Sequence, residues 1–251
     1  MSFLRTITLL TIVIAGGIYG ASAAQRDSDV IAVAVLLEPE VAMVRYAQGV
    51  FDDLQQTYPE RYSGELAPCP RITLAQQFVR VADLPAMIDA VAEVAAHKQA
   101  GALQLITDGY TYGYRNPAGL GVMSLNVEVG PRLRNFEYWI VDAVEPFAVR
   151  GRDDAFAVPV TMQTVNWVER FVPVLSGENF TAELPVAVVP TEYLKAMKAR
   201  PFLPLTFGAT GVAIYQLGSF AAVQERIWDS GGINPCACPY QDPGAEFIAA
   251  D

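Results

Sequence analysis

The stretch "PCPRITLAQQF", residues 68–78, sets Arg71, Ile72 and Thr73 at the head of an apolar strand. An arginine there stays protonated near neutrality, so it cannot act as a base, but its planar guanidinium can bind a phosphate or carboxylate bidentately. A second strand, "ELPVAVV" (183–189), begins with Glu183, Leu184 and Pro185. Glutamate can in principle accept a proton, although beside a phosphate it adds repulsion and a desolvation cost. Proline lacks both a side-chain donor and a backbone N–H. A third segment, "DGYTYGYRNP" (108–117), alternates Tyr110, Tyr112 and Tyr114 onto one face of a strand. These rings suit either a stacking wall for a base or sugar or the ordinary packing of strand aromatics.

Other reactive residue types do not assemble into a site. His97, the single histidine, falls at the C-terminal end of a predicted helix, where the dipole favours a cation and a surface position is expected. Asp153-Asp154 and the scattered acids have no metal-ligand spacing with His or Cys. Cys236-Ala237-Cys238 offers too few ligands for zinc. There is no nucleophile elbow, phosphate loop or dinucleotide fingerprint, so neither a metal nor a cofactor is expected. Asn179-Phe180-Thr181 matches a glycosylation acceptor, a short and weak pattern.

The elements that must position these residues follow from periodicity. "VIAVAVLL" (30–37) is a continuous apolar run that predicts a buried strand. A helix opening at Pro39 is expected to carry Val44, Ala47, Phe51, Leu54 and Tyr58 on one face. After the strand at 71–81, Asp83 is placed as an N-cap for a helix ending near His97. Two strands then flank "RNPAG" (115–119), and a helix over 131–147 presents Leu133, Phe136, Ile140, Val144 and Phe147. The second half reads as strand 183–189, a helix capped by Thr191, and two strands within "FLPLTFGATGVAIYQLG". A strand, a helix and two strands therefore occur twice, at 71–129 and 183–218. The expected fold is α+β: two pseudo-twofold-related lobes, each an antiparallel-rich sheet with helices outside, flanking a central cleft.

Composition fits a globular chain, with 52% hydrophobic and 18% charged residues among 251. Residues 1–24, with Arg5, an apolar run from Ile7 and small residues at Ala21-Ser22-Ala23, read as a signal peptide. The alternative is an uncleaved anchor, since Phe3 to Ala24 almost spans a bilayer. The protein is thus expected to be periplasmic or secreted, or membrane-anchored if the leader is retained. Without Arg5, 16 basic residues face 27 acidic ones, a formal net charge of −11. That balance repels polyanions and argues against long nucleic acid as a partner, while leaving a small phosphate- or nucleotide-like ligand possible. Residues 25–229 form the predicted bilobal domain, and 230–251 an irregular tail. In an oxidising compartment, Cys69 paired with Cys236 or Cys238 would tie that tail to the start of the 71–81 strand, leaving one cysteine free or paired between chains.

Several segments together resemble the 2H phosphoesterases, the superfamily of 2′-5′ RNA ligase-like proteins and cyclic phosphodiesterases. They run from "VAVLLEPEVAMVRYAQ" through "PRITLAQQFVRVADL", "DGYTYGY" and "GENFTAELPVAVVPTEYLKAMKARPF" to "TFGATGVAIYQLGSF", about residues 30–228. "YLKAMKARPF" and "IYQLG" (214–218) are the most specific. The resemblance implies two H-x-T/S motifs facing across a cleft, one imidazole taking a proton and the other giving one, with the hydroxyls holding phosphate. Here the first motif position reads Arg71-Ile72-Thr73 and the second Glu183-Leu184-Pro185, so both histidines are replaced and only Thr73 remains. The family's acid–base mechanism does not transfer to such a site. The resemblance also implies that Arg71 and Glu183 occupy facing positions. They are then either an opposite-charge pair across the cleft or two independent replacements pointing to solvent. Arg71, Thr73, Tyr112, Tyr114 and Glu183 are the expected ligand contacts of a protein without confident catalytic residues.

Overall fold

The computed structural model describes residues 29–57, 69–115, 120–218 and 222–231, with the side chains of Leu54, Tyr114, Arg115 and Leu120 excepted. The leader, the 116–119 turn, Tyr58, Cys236 and Cys238 lie outside the described residues. In chain order the strands are β1 (Val30–Pro39), β2 (Ile72–Arg80), β3 (Gln104–Arg115), β4 (Leu120–Val127), β5 (Ala182–Pro190), β6 (Thr206–Leu217) and β7 (Val223–Asp229). The helices are α1 (Val41–Thr57), α2 (Leu84–His97), α3 (Pro131–Val144), α4 (Met162–Leu175) and α5 (Thr191–Ala199). None of the described helices is long and apolar enough to cross a membrane.

The strands form an antiparallel sheet in the order β2-β1-β6-β3-β4-β5, with β7 paired to β6. The expected repeat is present with a shifted boundary: β2-α2-β3-β4 is followed by β5-α5-β6-β7. The segment 202–218 supplies one strand rather than two, because Gly208 and Gly211 are carried within β6, which runs unbroken from Thr206 to Leu217. Strand β7 and helix α4 were not anticipated. Each hairpin joins the other repeat's leading strand: β3–β4 pairs with β5, and β6–β7 pairs through β1 with β2. The α+β class and its two-lobed sheet are thus as expected.

The continuous apolar run in β1 has a direct cause, because both faces of the strand are buried. Val33, Val35 and Leu37 enter a main core with Leu74, Leu125, Leu184 and Ile214, covered by Met43 of α1, Met87 of α2, Phe136 of α3 and Leu194 of α5. Ala32, Ala34 and Leu36 face the other way, into a smaller core with Phe78, Ala213 and Tyr215. That second face is covered at one end by Phe156 and by Val165 and Val168 of α4. Helix α1 starts at Val41 rather than Pro39, and its buried face is Met43, Ala47, Val50 and Phe51. Asp83 makes no capping bond; its carboxylate takes Arg80 at 3.3 Å instead. His97 is exposed at the end of α2, as expected.

Candidate functional site

Alternation places all four motif positions on the sheet face opposite the helix-covered core. Ile72, Leu74, Leu184 and Val186 are buried in that core, while Arg71, Thr73, Glu183 and Pro185 project from the other face. Strands β2 and β5, at opposite ends of the strand order, approach with Cα atoms within 8 Å. The site therefore has two walls, one on β2-β1-β6-β7 and one on β3-β4-β5.

On the first wall, β1 pairs Leu37 with Ile72, and one step further brings Glu38 beside Arg71. Glu38 is 3% exposed and accepts hydrogen bonds from Tyr215 Oη at 2.7 Å and Arg226 Nη2 at 2.8 Å. Arg71 Nε lies 3.5 Å from Glu38 Oε1, an ion pair without a hydrogen bond. The Arg71 guanidinium lies over the Tyr215 ring, 4.5 Å from its centroid. Arg226 also donates through Nε to Tyr215 Oη at 3.0 Å and through Nη1 to Asp229 at 2.9 Å. Burial foremost pushes the Tyr215 phenol up, which keeps it a donor to Glu38. The two guanidiniums are balanced by the carboxylates of Glu38 and Asp229, so this wall is close to neutral. The Thr73 hydroxyl makes no hydrogen bond among the described residues.

The second wall follows from register. Asn126 stands opposite Glu183, Ser124 opposite Pro185, and Thr111 opposite Ser124. Glu183 has no ion pair or hydrogen-bond partner among the described residues, and burial alone raises its carboxyl pKa above the usual range. Asn126 donates to Asp108 at 2.7 Å. Pro185 is accommodated because β5 ends the strand order, where a missing N–H costs the ladder least.

Two expectations are corrected. Arg71 and Glu183 do not form an ion pair: the partner of Arg71 is Glu38 on the adjacent strand, which the main chain holds there irrespective of the opposite wall. The tyrosine strand does not line the cleft. Tyr110 and Tyr112 share a face with Leu125, Met123 and Leu184, on the core side of the sheet. Tyr110 meets Tyr46 Oη of α1 at 2.8 Å and packs edge-on against Phe202 at 5.0 Å. Tyr112 receives Lys198 of α5, 4.6 Å from its ring centroid. The Tyr114 side chain lies outside the described residues. Glu38, Tyr215 and Arg226 were missed; a lone acid closing an eight-residue apolar run was the available signal for Glu38. Ser124 and Thr111 were missed because hydroxyls within a strand carry no distinctive pattern.

Elsewhere, cavities of about 360 Å³ beside α2 and β7 and about 210 Å³ beside Trp139 include none of the motif positions. Among the described residues no cluster of His, Cys, Asp or Glu has metal-site geometry. Cys69 is disulfide-bonded, while the other two cysteines of the chain lie outside the described residues.

No protein-family model matches the chain, and no curated protein matches it. Among solved structures it is similar to Kluyveromyces marxianus Usb1 with uridine monophosphate, at TM-score 0.36 and 8% identity over 75% of this chain and 94% of that one. A second structure of Kluyveromyces marxianus Usb1 is similar at TM-score 0.37 and 9% identity, over 73% of this chain and 92% of that one.

Proposed function

We propose that the chain is an exported 2H phosphoesterase-like protein that has lost its acid–base pair and holds a small anionic ligand in the cleft. The observation that carries this is the state of Arg71. It occupies the first motif position on the cleft face, permanently charged and held between Glu38 and Tyr215, where it can attract an anion but not move a proton. The one histidine is exposed at the end of α2 and contributes nothing to either wall. Arg71 and Thr73 are the proposed anion contacts, and a small phosphate- or nucleotide-like molecule is the proposed partner. In the same reading the leader directs the protein to the periplasm or beyond the cell, and Cys69 pairs with Cys236 or Cys238. An uncleaved leader would anchor it to the membrane.

A second reading has one observation in its favour. Glu183 faces the cleft with a carboxyl raised by burial, as a base working near neutrality requires. A residual phosphodiesterase would then use Glu183 as base and Arg71 to stabilise charge on the phosphoryl oxygens.

The test is a single-turnover assay of the mature protein with 2′,3′-cyclic nucleotides and a short 2′-5′-linked oligonucleotide. A variant carrying Arg71→His, Glu183→His and Pro185→Thr is run beside it. An inert natural protein with an active variant supports the binding reading. Turnover by the natural protein that disappears in Glu183→Gln supports the second reading and overturns the first.

A further inference from the structure

The lost hydroxyl of the second motif has a replacement one strand away. Ser124 of β4 lies directly opposite Pro185 of β5, a register that brings Cβ atoms to about 4.5–5.5 Å. Its neighbours Met123 and Leu125 turn into the main core, so Ser124 shares the cleft face with Pro185 and Glu183. Ser124 is only 2% exposed, yet its hydroxyl makes no hydrogen bond among the described residues. It is also absent from the polar atoms sealed without a partner, so the little surface it retains includes Oγ. A buried hydroxyl left open in this way calls for an explanation, and a ligand acceptor supplies one. Asn126 on the same strand is already committed to Asp108.

We propose that Ser124 takes the place of the hydroxyl absent at Pro185, donating to a singly charged oxyanion that Arg71 and Thr73 hold from the opposite wall. This rests on the reading of the cleft as a ligand site. The local charge balance counts against a dianion: Arg71 and Arg226 are already met by Glu38 and Asp229, and Glu183 stands in the far wall. A phosphodiester or a carboxylate fits that balance; a phosphate monoester dianion does not.

The mature protein is titrated calorimetrically with dimethyl phosphate and, separately, with acetate, which distinguishes the two sources of the oxyanion. Ser124→Ala is expected to weaken the bound probe about tenfold or more, the loss of a hydrogen bond to a charged acceptor. Ser124→Thr should keep affinity, and adding Pro185→Thr to Ser124→Ala should restore most of it. Unchanged binding in a folded Ser124→Ala variant, with binding lost in Arg71→Gln, overturns the role of Ser124 and leaves the ligand site standing. Absence of binding of either probe to the natural protein at millimolar concentration overturns both.

Discussion

Arg71 stands 3.5 Å from Glu38 and not against Glu183, so its carboxylate partner comes from the neighbouring strand. The Glu38 carboxylate, 4% exposed, is shared by Arg71 at 11% and Arg226 at 23% side-chain exposure. Desolvating these charges is tolerable only because each has a partner. Glu38→Gln keeps the shape but leaves Arg71 without a carboxylate and Arg226 with Asp229 alone, and we expect a loss of about 3 kcal/mol in urea unfolding. Adding Arg71→Met, which removes one uncompensated charge, should recover part of the loss. Additive effects of the two changes would show that the pair carries no coupling.

Glu183 gives a pH signature. Its carboxyl is raised by burial above the ordinary glutamate value of 4.5, so between the unfolded and folded values the native state binds more protons. Stability from this group is therefore complete below about pH 4.5 and is lost as pH rises through the folded value. Glu183→Gln should raise the melting temperature at pH 7 and leave it nearly unchanged at pH 4. Glu137, fully buried on α3 where it accepts from the Gly177 N–H, is raised by burial too and adds a decline of the same sign. Some pH dependence must then persist in the Glu183 variant, and its complete disappearance would contradict the assignment.

The position of the motif strands was legible because side-chain alternation is a local property. Ile72 and Leu74 against Arg71 and Thr73 state their faces without reference to the rest of the chain. The same alternation for Tyr110 and Tyr112 identified a shared face but could not say which one. Both sides of β3 offer partners, and only pairing with Leu125 and Leu184 shows that the rings turn to the helices. The Glu38, Tyr215 and Arg226 cluster was illegible for another reason. Its members are 177 and 11 residues apart along the chain and meet only because β6 lies between β1 and β7.

That orientation of the tyrosines has its own consequence. Tyr112 stacks under Lys198 and packs on the core, so Tyr112→Ala should destabilise the fold by about 1–3 kcal/mol through lost packing and the cation–π contact. The affinity of the cleft for a small anion should not change. Weaker binding in a variant that melts like the natural protein would return Tyr112 to the site.

Gly151 tests how the closed end of the cleft face is packed. The segment before α4 crosses β2, where Val149 N donates to the Phe78 carbonyl at 2.9 Å and Ala148 bridges Val79. Gly151 N then donates to Glu169 Oε1 of α4 at 2.8 Å, which fixes the backbone against the helix. A Cβ at residue 151 would fall 2.4 Å from the Phe78 ring, far inside contact distance. Phe78 is 1% exposed and meets Phe156 edge-on at 5.5 Å, so its ring has no open space into which to retreat. Gly151→Ala should therefore cost about 1–3 kcal/mol, the range for overpacking a filled core. Phe78→Leu alone should also destabilise, by removing ring contacts. Combined with Gly151→Ala it should cost less than the sum of the two, because the smaller side chain makes room for the added methyl. Strict additivity would mean that the loop moves away from β2 instead, leaving the ring where it is.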